Sequence, residues 1–375
     1  MSGLRSIGHR LYAGESSIDF VGRRKTWYVV SAIILLVCIG SLFFRGLNLG
    51  IEFRGGAEFA MPNATCTVEE ARSVAETATG AQAIVTQTGN GTVRVQTEAV
   101  TPAESSVLAG QLADACGVPK DEIKAQVVGP TWGSEISKKA LQGLIVFILL
   151  VMLFLSIYFE WRMAVAALVA LIHDLVITVG IYSLTGLEVT PATVIGLLTI
   201  LGYSLYDTVV VFDKVKENTR GIAGQSVMTY GEAANLAVNQ TLIRSINTSI
   251  VALLPVLAII IVGAGLLGAG TLLDLAVALA VGMAAGAYSS IFIATPFLVQ
   301  LKERQPEMKS LAARVAARRK QSRSTGGADT SAAGPESGDA SERVVAASPV
   351  TSLTRTESTT RQQPKKQARS KRGKG

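Results

Sequence analysis

The segment 198–218, LTILGYSLYDTVVVFDKVKEN, places the carboxylate of Asp207 inside an apolar run long enough to cross a membrane. An ionised aspartate at the centre of a membrane helix costs roughly 2.5 to 3.5 kcal/mol on insertion scales. Such groups therefore face the interior of a helix bundle and mark pathways for ions or protons. The segment predicts a polytopic α-helical membrane protein with a polar site in one span.

Composition supports the membrane class. The chain of 375 residues is 49% hydrophobic and 17% charged, and the apolar residues are grouped in runs. Its net charge of +7 comes from residues 301–375, which hold 17 Lys and Arg against 7 acids. This basic tail suits the anionic lipids of a cytoplasmic leaflet or ribosomal RNA, and a solvated segment that fixes topology explains it equally.

Six apolar runs predict six membrane spans. The first, 27–44, follows a basic cluster and lacks a small-residue cleavage site, so we expect a retained anchor. The others are 140–159, 163–184, 191–212, 244–262 and 272–298. Basic residues concentrate at the termini and in the linkers 160–162 and 214–241, which places both termini in the cytoplasm.

A polar region after the first span predicts a small extracytoplasmic domain. Its pattern is strand 57–61, helix 67–79, strands 82–88 and 92–97 around a turn at 89–91, helix 102–115 and strand 123–128. This βαββαβ order is the ferredoxin-like α+β motif. We therefore expect a cytoplasmic segment (1–26), span 1 (27–45), the outer domain (46–138), spans 2–6 (139–300) and a basic, largely disordered cytoplasmic tail (301–375).

Two cysteines of the outer domain are candidates for a disulfide. The two crossover helices of the motif run antiparallel, so Cys66 and Cys116 should lie at the same end of the domain. An oxidising outer compartment favours a bond, and two buried free thiols are the alternative. The cysteines form no metal-binding motif, so we expect no metal site.

The chemistry of the spans centres on Asp207. Helical spacing puts Tyr203 and Thr199 on its face, and a second polar stripe follows in the fifth run: Gln240, Thr241, Arg244, Asn247 and Thr248. Asp207 and Arg244 can therefore pair. Such a pair is either a static ion pair that fixes helix register or a switch, in which protonation of the carboxylate selects between two packings.

His173 and Asp174 form a second polar pair, in the third predicted span. A histidine beside a carboxylate can relay protons. Adjacent residues on a helix point about 100° apart, however, so an ordinary hydrogen-bonding role inside the bundle is the alternative. We treat the pair as a supporting site.

The sequence contains no motif of an enzyme or a nucleotide site. The patterns GxxxxGK[ST], HExxH and GxSxG do not occur. We expect a protein without catalytic activity or cofactor, whose energy comes from an ion gradient or from a partner ATPase.

Four stretches of the chain resemble the SecF family, which belongs to the bacterial SecDF protein-export complex and the resistance-nodulation-division superfamily. They are IDFVGRRK at 18–25, GIEFRGG at 50–56, VGPTWG at 128–133, and the segment 198–218 with NQTLIRSINTS at 239–249. Glu52 stands where the family commonly has Asp, and Tyr206 where Asn usually precedes the aspartate.

The resemblance implies half of a resistance-nodulation-division transporter in the bacterial cell membrane. It implies a SecD partner and joint assistance to the SecYEG channel and the SecA ATPase. Exported preproteins would be pulled forward by the outer domains, with Asp207 and Arg244 using the proton gradient. Membrane insertion factors and lipids are further expected partners. Half of a small-molecule exporter of the same superfamily, and a scaffold that carries no ions, are the alternatives.

Overall fold

The computed structural model describes residues 17–87, 91–262 and 270–326. Six of the described helices are long and apolar enough to cross a membrane. They are Arg24–Phe44, Pro130–Tyr158, Trp161–Thr185, Pro191–Asn218, Tyr230–Ile259, and a last helix formed by Gly270–Ser289, Ser290–Ala294 and Thr295–Glu303. We call them spans 1 to 6. Each extends past its predicted apolar run at one end or both, where the helix continues into polar residues.

The domain that follows span 1 is the one predicted to lie outside the membrane, and we call it the outer domain; its elements have the predicted βαββαβ order. Strands β2 (Gly56–Met61), β3 (Ile84–Gln87), β4 (Val93–Thr97) and β5 (Lys124–Val128) form one antiparallel sheet in the order β3-β4-β2-β5. Helices Val68–Thr79 and Pro102–Cys116 pack on the sheet, and each begins with a capping box, at Thr67 and Thr101. The predicted turn at 89–91 lies mostly outside the described residues.

A disulfide joins Cys66 and Cys116, whose Cα atoms are 4.5 Å apart. The bond connects the segment before the first domain helix to the end of the second. Thr65 reinforces the same junction, since its backbone N–H and its hydroxyl both donate to the carbonyl of Cys116, at 3.0 and 2.9 Å. The remaining cysteine, Cys38, is a buried free thiol in span 1.

Two glycines bring the outer domain close to the start of span 2. Gly55 and Gly56 have φ angles of +79° and +143°, which favour glycine. A Cβ on Gly55 would lie 2.8 Å from the Cα of Pro130, the first residue of span 2. The paired glycines therefore fix the junction between β2, the short helix Ile51–Arg54 and span 2.

A two-residue parallel ladder attaches the base of the outer domain to the membrane bundle. Strand β1 (Asn48–Leu49) pairs with β6 (Glu188–Val189), which lies in the turn between spans 3 and 4. The N–H of Gly50 extends the ladder by donating to the carbonyl of Val189 at 3.0 Å.

The N-terminal segment is held by two asparagines of span 5. Asn239 accepts from the N–H of Ile18 at 2.8 Å and donates to its carbonyl at 2.9 Å. Asn235 accepts from the N–H groups of Phe20 and Val21 at 2.9 and 3.2 Å. These side-chain amides satisfy backbone groups of a segment that is neither helix nor strand at residues 17–23. The first 16 residues of the predicted cytoplasmic segment lie outside the described residues.

A helix follows span 6 at the start of the predicted tail. Residues Pro306–Gly326 are helical, and their apolar side chains Leu311 and Val315 are fully buried in the same core as the spans. Arg319 pairs with both carboxylate oxygens of Glu232 at 2.8 and 2.9 Å. Composition concealed this helix, because few apolar residues suffice for its buried side. The predicted disorder beyond residue 326 lies outside the described residues.

Candidate functional site

Spans 4 and 6 approach each other closely because small residues line their contact. A Cβ on Gly282 would lie 2.3 Å from Ile200, and one on Gly286 would lie 2.8 Å from the Cβ of Ser204. Small residues at a membrane interface let helix backbones approach, so that short polar side chains can reach across. This contact positions the polar groups described next.

Asp174 of span 3 is buried, at 1% exposure, and accepts hydrogen bonds from three directions. Ser204 of span 4 donates to its Oδ2 at 2.6 Å, and Ser289 of span 6 donates to the same oxygen at 2.8 Å. Its Oδ1 lies 3.1 Å from Nδ1 of His173. The carboxylate of Asp174 therefore links span 3 to spans 4 and 6 by hydrogen bonds.

His173 extends this network to span 1. Its Nε2 lies 3.2 Å from the hydroxyl of Ser31, which in turn lies 3.0 Å from the hydroxyl of Tyr288 in span 6. His173 and Asp174 do interact, although they are neighbours on one helix, because both side chains turn toward the centre of the bundle. The histidine thus belongs to a continuous chain of hydrogen bonds.

Asp207 is also buried, at 6% exposure, but has a sparser environment. Ser290 of span 6 donates to its Oδ2 at 2.5 Å. Ser289 and Ser290 are neighbours, so two consecutive hydroxyls of span 6 serve the two carboxylates on spans 3 and 4. The sites of Asp174 and Asp207 are therefore adjacent, and one helix contacts both.

Span 6 changes its helical form at this position. Residues Ser290–Ala294 are π-helical, between an α-helix that ends at Ser289 and another that begins at Thr295. Single turns of π-helix occur frequently at functional sites. The hydroxyl that contacts Asp207 therefore lies at a local irregularity of the helix.

Arg244 does not contact Asp207 in this structure. Its side chain is exposed and its Nη2 lies 3.4 Å from the hydroxyl of Tyr206. Within the described ranges, Asp207 forms no ion pair. The sequence placed both charges on facing stripes, but Asp207 turns inward to span 6 while Arg244 stays on the outside of the bundle.

The other residues of the predicted stripes are dispersed. Thr199 and Asn247 are exposed, Tyr203 and Thr248 are half-buried, Thr241 is buried and bonded to its own helix, and Gln240 accepts from Asn218 at 2.9 Å. The structure does not assemble them around Asp207.

The serines are what sequence reasoning missed. Ser31, Ser204, Ser289 and Ser290 are all buried polar residues of spans. Serine is common in membrane helices and carries no charge, so it gives a weak signal. The tandem pair inside the apolar run 272–298, together with glycines one turn before it, was the available clue.

The chemistry that this site supports is proton binding. A search of the described residues finds no group of His, Cys, Asp and Glu that could hold a metal ion. Two carboxylates, one imidazole and several hydroxyls lie buried in two adjacent groups, and side chains of these types can accept, hold and pass protons.

Comparison with known proteins gives a consistent result. The profile described as "Protein export membrane protein SecD/SecF, C-terminal" matches residues 109–304, and that of the "SecD/SecF GG Motif" matches residues 40–61. The chain is 52% identical to protein translocase subunit SecF of Streptomyces coelicolor over 343 residues, which covers 91% of this chain and 92% of the relative.

Two further relatives agree. Protein translocase subunit SecF of Mycobacterium tuberculosis is 44% identical, with 89% of this chain and 78% of the relative covered. The crystal structure of SecDF from Thermus thermophilus, named as a translocon-associated membrane protein, superposes with a TM-score of 0.69 at 30% identity. The match covers 77% of this chain and 39% of the SecDF chain, so the chain spans about two fifths of the solved protein.

Proposed function

The chain belongs to the SecF family of protein translocase subunits, and on that premise we propose that it couples proton movement at Asp207 to protein export. As a member of that family it is a multi-pass membrane protein with an accessory role in export, so an exporter of small molecules is not favoured. The proton pathway, the orientation in the membrane and the partners are the proposal.

The observation that carries the proposal is the environment of Asp207. The carboxylate is buried in a membrane span and has a single hydrogen-bond donor, Ser290, among the described residues. A carboxylate with one donor can exchange that donor for a countercharge or for water without losing several other bonds. Small changes around Asp207 can therefore load or release a proton.

Arg244 is the countercharge that we propose for the ionised state. Its guanidinium contacts the hydroxyl of Tyr206, the residue next to Asp207. The arginine of span 5 therefore already lies against span 4 close to Asp207 in sequence. A rotation of span 4 or 5 would exchange the tyrosine hydroxyl for the carboxylate. Protonation of Asp207 would reverse that exchange, and the two helix packings would then follow the two protonation states.

Span 6 would transmit the change. Ser290 donates to Asp207 through its hydroxyl and is the first residue of the π-helical turn, a form that is frequent at functional sites. At its other end, span 6 starts near the outer domain, where Asp274 accepts from the hydroxyl of Tyr182 through its backbone carbonyl at 2.5 Å. A shift of this helix would therefore reach the outer surface.

We propose SecD as the partner that covers the exposed face of spans 4 and 5. Arg244 and Asn247 face outward there beside the apolar Ile250 and Val251. A charged residue facing lipid at this depth is costly, so a protein surface is the better neighbour. With both termini in the cytoplasm, the outer domain would meet preproteins that emerge from the SecYEG channel after SecA has acted.

The proposal is tested by Asp207→Asn in vesicles that contain the export machinery. We expect loss of the stimulation of export by a proton gradient, with SecA-driven export retained. Asp213→Asn is the matched control, because Asp213 is an exposed carboxylate on the same span. Unchanged stimulation in Asp207→Asn, with the complex intact, would reject proton coupling and favour a scaffold that carries no ions.

A further inference from the structure

Four carboxylates converge where the outer domain meets the membrane bundle. Glu188, in the turn between spans 3 and 4, accepts from Nε2 of Gln96 at 2.6 Å, and Glu58 accepts from the same amide at 2.9 Å. Arg94 stands between the two acids, 3.7 Å from Glu58 and 3.6 Å from Glu188. Two carboxylates from different parts of the chain thus share one amide and one guanidinium.

The other two carboxylates are less satisfied. Glu52, on the short helix at the base of the outer domain, and Asp274, at the start of span 6, each have a buried oxygen without a hydrogen-bond partner among the described residues. Asp274 is 7% exposed and lies within the electrostatic influence of Arg94, Glu58 and Glu52. The site holds four acids and one cation, so its ionised form carries excess negative charge.

Gly50 brings two of these acids together. A Cβ on this residue would lie 2.6 Å from Oε2 of Glu52 and 2.8 Å from Oε1 of Glu188. The space above its Cα is therefore filled from two sides by carboxylate oxygens, one of which lacks a hydrogen-bond donor. Protonation of Glu188 would supply an O–H group on the side of this space that faces Glu52.

We propose that Glu188, with Glu52 and Asp274 around it, is a proton-binding site that fastens the outer domain to the membrane bundle when the outer compartment is acidic. The ligand is the proton rather than a metal cation, because Arg94 already occupies the side of the site shared by Glu58 and Glu188. The proposal requires only that the domain contact the bundle, and it is independent of proton movement at Asp207.

The expected pH window follows from the surroundings of Glu188. Burial raises the pKa of its carboxyl from the usual 4.5 to about 7, and the charge of Glu58 adds to the increase, while Gln96 and Arg94 oppose it. When the domain is detached, the carboxyl is solvated and regains its usual pKa. The contact is then strongest below the usual pKa and weakens as pH rises through about 7. Across that window the attachment equilibrium changes by roughly two orders of magnitude.

The mechanical connection is the β1–β6 ladder. Glu188 is paired in register with Asn48, and the next residue, Val189, accepts the N–H of Gly50. Ionisation of Glu188 would therefore place repulsion between Glu188 and Glu52 directly beside the two-residue ladder. The ladder contains two residue pairs, with Leu49 and Phe53 packed beside Val189, and it is the element nearest to the repulsion, so we expect it to open first.

The first test measures ionisation directly. Infrared difference spectra of the full chain in lipid nanodiscs, taken against Glu188→Gln, should contain a protonated-carboxyl C=O band that disappears with a midpoint near pH 7. Glu98→Gln is the matched control, because Glu98 is an exposed acid next to β4, and it should leave this band unchanged. A midpoint in the ordinary range of carboxyl groups would overturn the proposal.

The second test measures attachment. Spin labels at Val107→Cys, exposed on the outer domain, and Thr185→Cys, exposed at the end of span 3, report the distance between domain and bundle. From pH 5 to 8 we expect the distance distribution to broaden, and Glu188→Gln to keep it narrow throughout. Equal behaviour of Glu188→Gln and the parent chain would reject the proposal.

Salt distinguishes the proton from a metal cation. At fixed pH, sodium or calcium at constant ionic strength should leave both the infrared midpoint and the distance distribution unchanged. A midpoint that moves by a pH unit or more on adding either ion would show that a metal cation competes for the site, and would overturn the assignment to the proton.

Discussion

Asp174 and Asp207 are both buried carboxylates in neighbouring spans, but they differ in how many groups support them. Asp174 has donors from span 4, from span 6 and from its neighbour His173, whereas Asp207 has Ser290. The two acids share the helix that serves them and contact consecutive serines. The two acids therefore differ in their other partners, since Asp174 also contacts Ser204 and His173.

A carboxylate with several fixed donors acts as a structural fastening, because any change of its protonation would break several bonds at once. A carboxylate with one donor can change protonation at lower cost. Under the proposed function, Asp174 would contribute to stability and Asp207 would be the group that switches. The proposal then gives the two neighbouring acids different roles, with Asp174 holding the helices in register and Asp207 binding the proton.

The largest expected effect comes from removing each carboxylate in turn. Asp174→Ala leaves Ser204 without its acceptor and removes a partner from His173 and Ser289, at about 1 to 3 kcal/mol for each buried group left unpaired. Asp207→Ala affects Ser290 alone, which retains the carbonyl of Ala287 at 3.3 Å. Thermal unfolding in detergent should therefore show a much larger decrease for Asp174→Ala. Equal decreases in thermal stability would contradict the inference that Asp174 supports the bundle more than Asp207 does.

The serine pair gives a finer comparison. Ser289→Ala should lower the free energy of unfolding by about 1 kcal/mol and leave export per folded molecule close to normal. Ser290→Ala should show the reverse, with little change in unfolding and a clear loss of the proton-gradient stimulation of export. The two variants remove the same atom from adjacent residues, so each serves as the control for the other. Identical profiles would contradict separate roles.

Tyr206→Phe tests the approach to Asp207 from outside the bundle. Its hydroxyl lies near Arg244 and is half-exposed, so its removal should not measurably alter unfolding. If Arg244 exchanges between Tyr206 and Asp207, the change should alter the pH dependence of export by a few fold. Asp174→Asn combined with Tyr206→Phe should be additive, since the tyrosine does not contact the Asp174 network. Strong non-additivity of the two effects would show that the Asp174 and Asp207 sites are energetically coupled.

The smallest effect is expected at an exposed ion pair. Arg319 and Glu232 are 54% and 43% exposed at their side chains. Such pairs contribute about 0.2 to 1 kcal/mol, and added salt weakens them. A double-mutant cycle with Arg319→Gln and Glu232→Gln should return a coupling energy in this range that decreases at high salt. A coupling energy as large as the loss expected for Asp174→Ala would show that the number of fixed hydrogen-bond donors does not determine how much a polar group contributes to stability.

Sequence reasoning predicted the fold well because its signals were strong. Apolar runs, capping residues and basic linkers identified six helices and a βαββαβ domain, and the antiparallel crossover helices correctly brought Cys66 near Cys116. It also selected Asp207 and the His173–Asp174 pair as polar groups within spans. Helix periodicity gives the face of a residue on its own helix, however, and does not give the neighbour that the face meets.

The site therefore could not be completed from sequence. The facing partner of Asp207 is span 6, selected by Gly282 and Gly286, which allow close approach, rather than span 5 with its arginine. Uncharged serines supply the hydrogen bonds, and they gave little signal. The outer acidic site was missed for another reason: Glu52, Glu188 and Asp274 are far apart in sequence and are joined only by the fold.

The hydrogen bonds from Asn235 and Asn239 to the N-terminal segment, which we call the asparagine clamp, have a consequence for biosynthesis. Ile18 and its partner Asn239 are 221 residues apart, so the ribosome makes one long before the other. At about 5 to 20 residues per second, the segment waits roughly 10 to 45 s for its clamp. During that interval its polar backbone is available to the ribosome surface, the lipid headgroups or a chaperone. These hydrogen bonds can therefore form only after the first part of span 5 has been synthesised, which makes them a late step of membrane assembly.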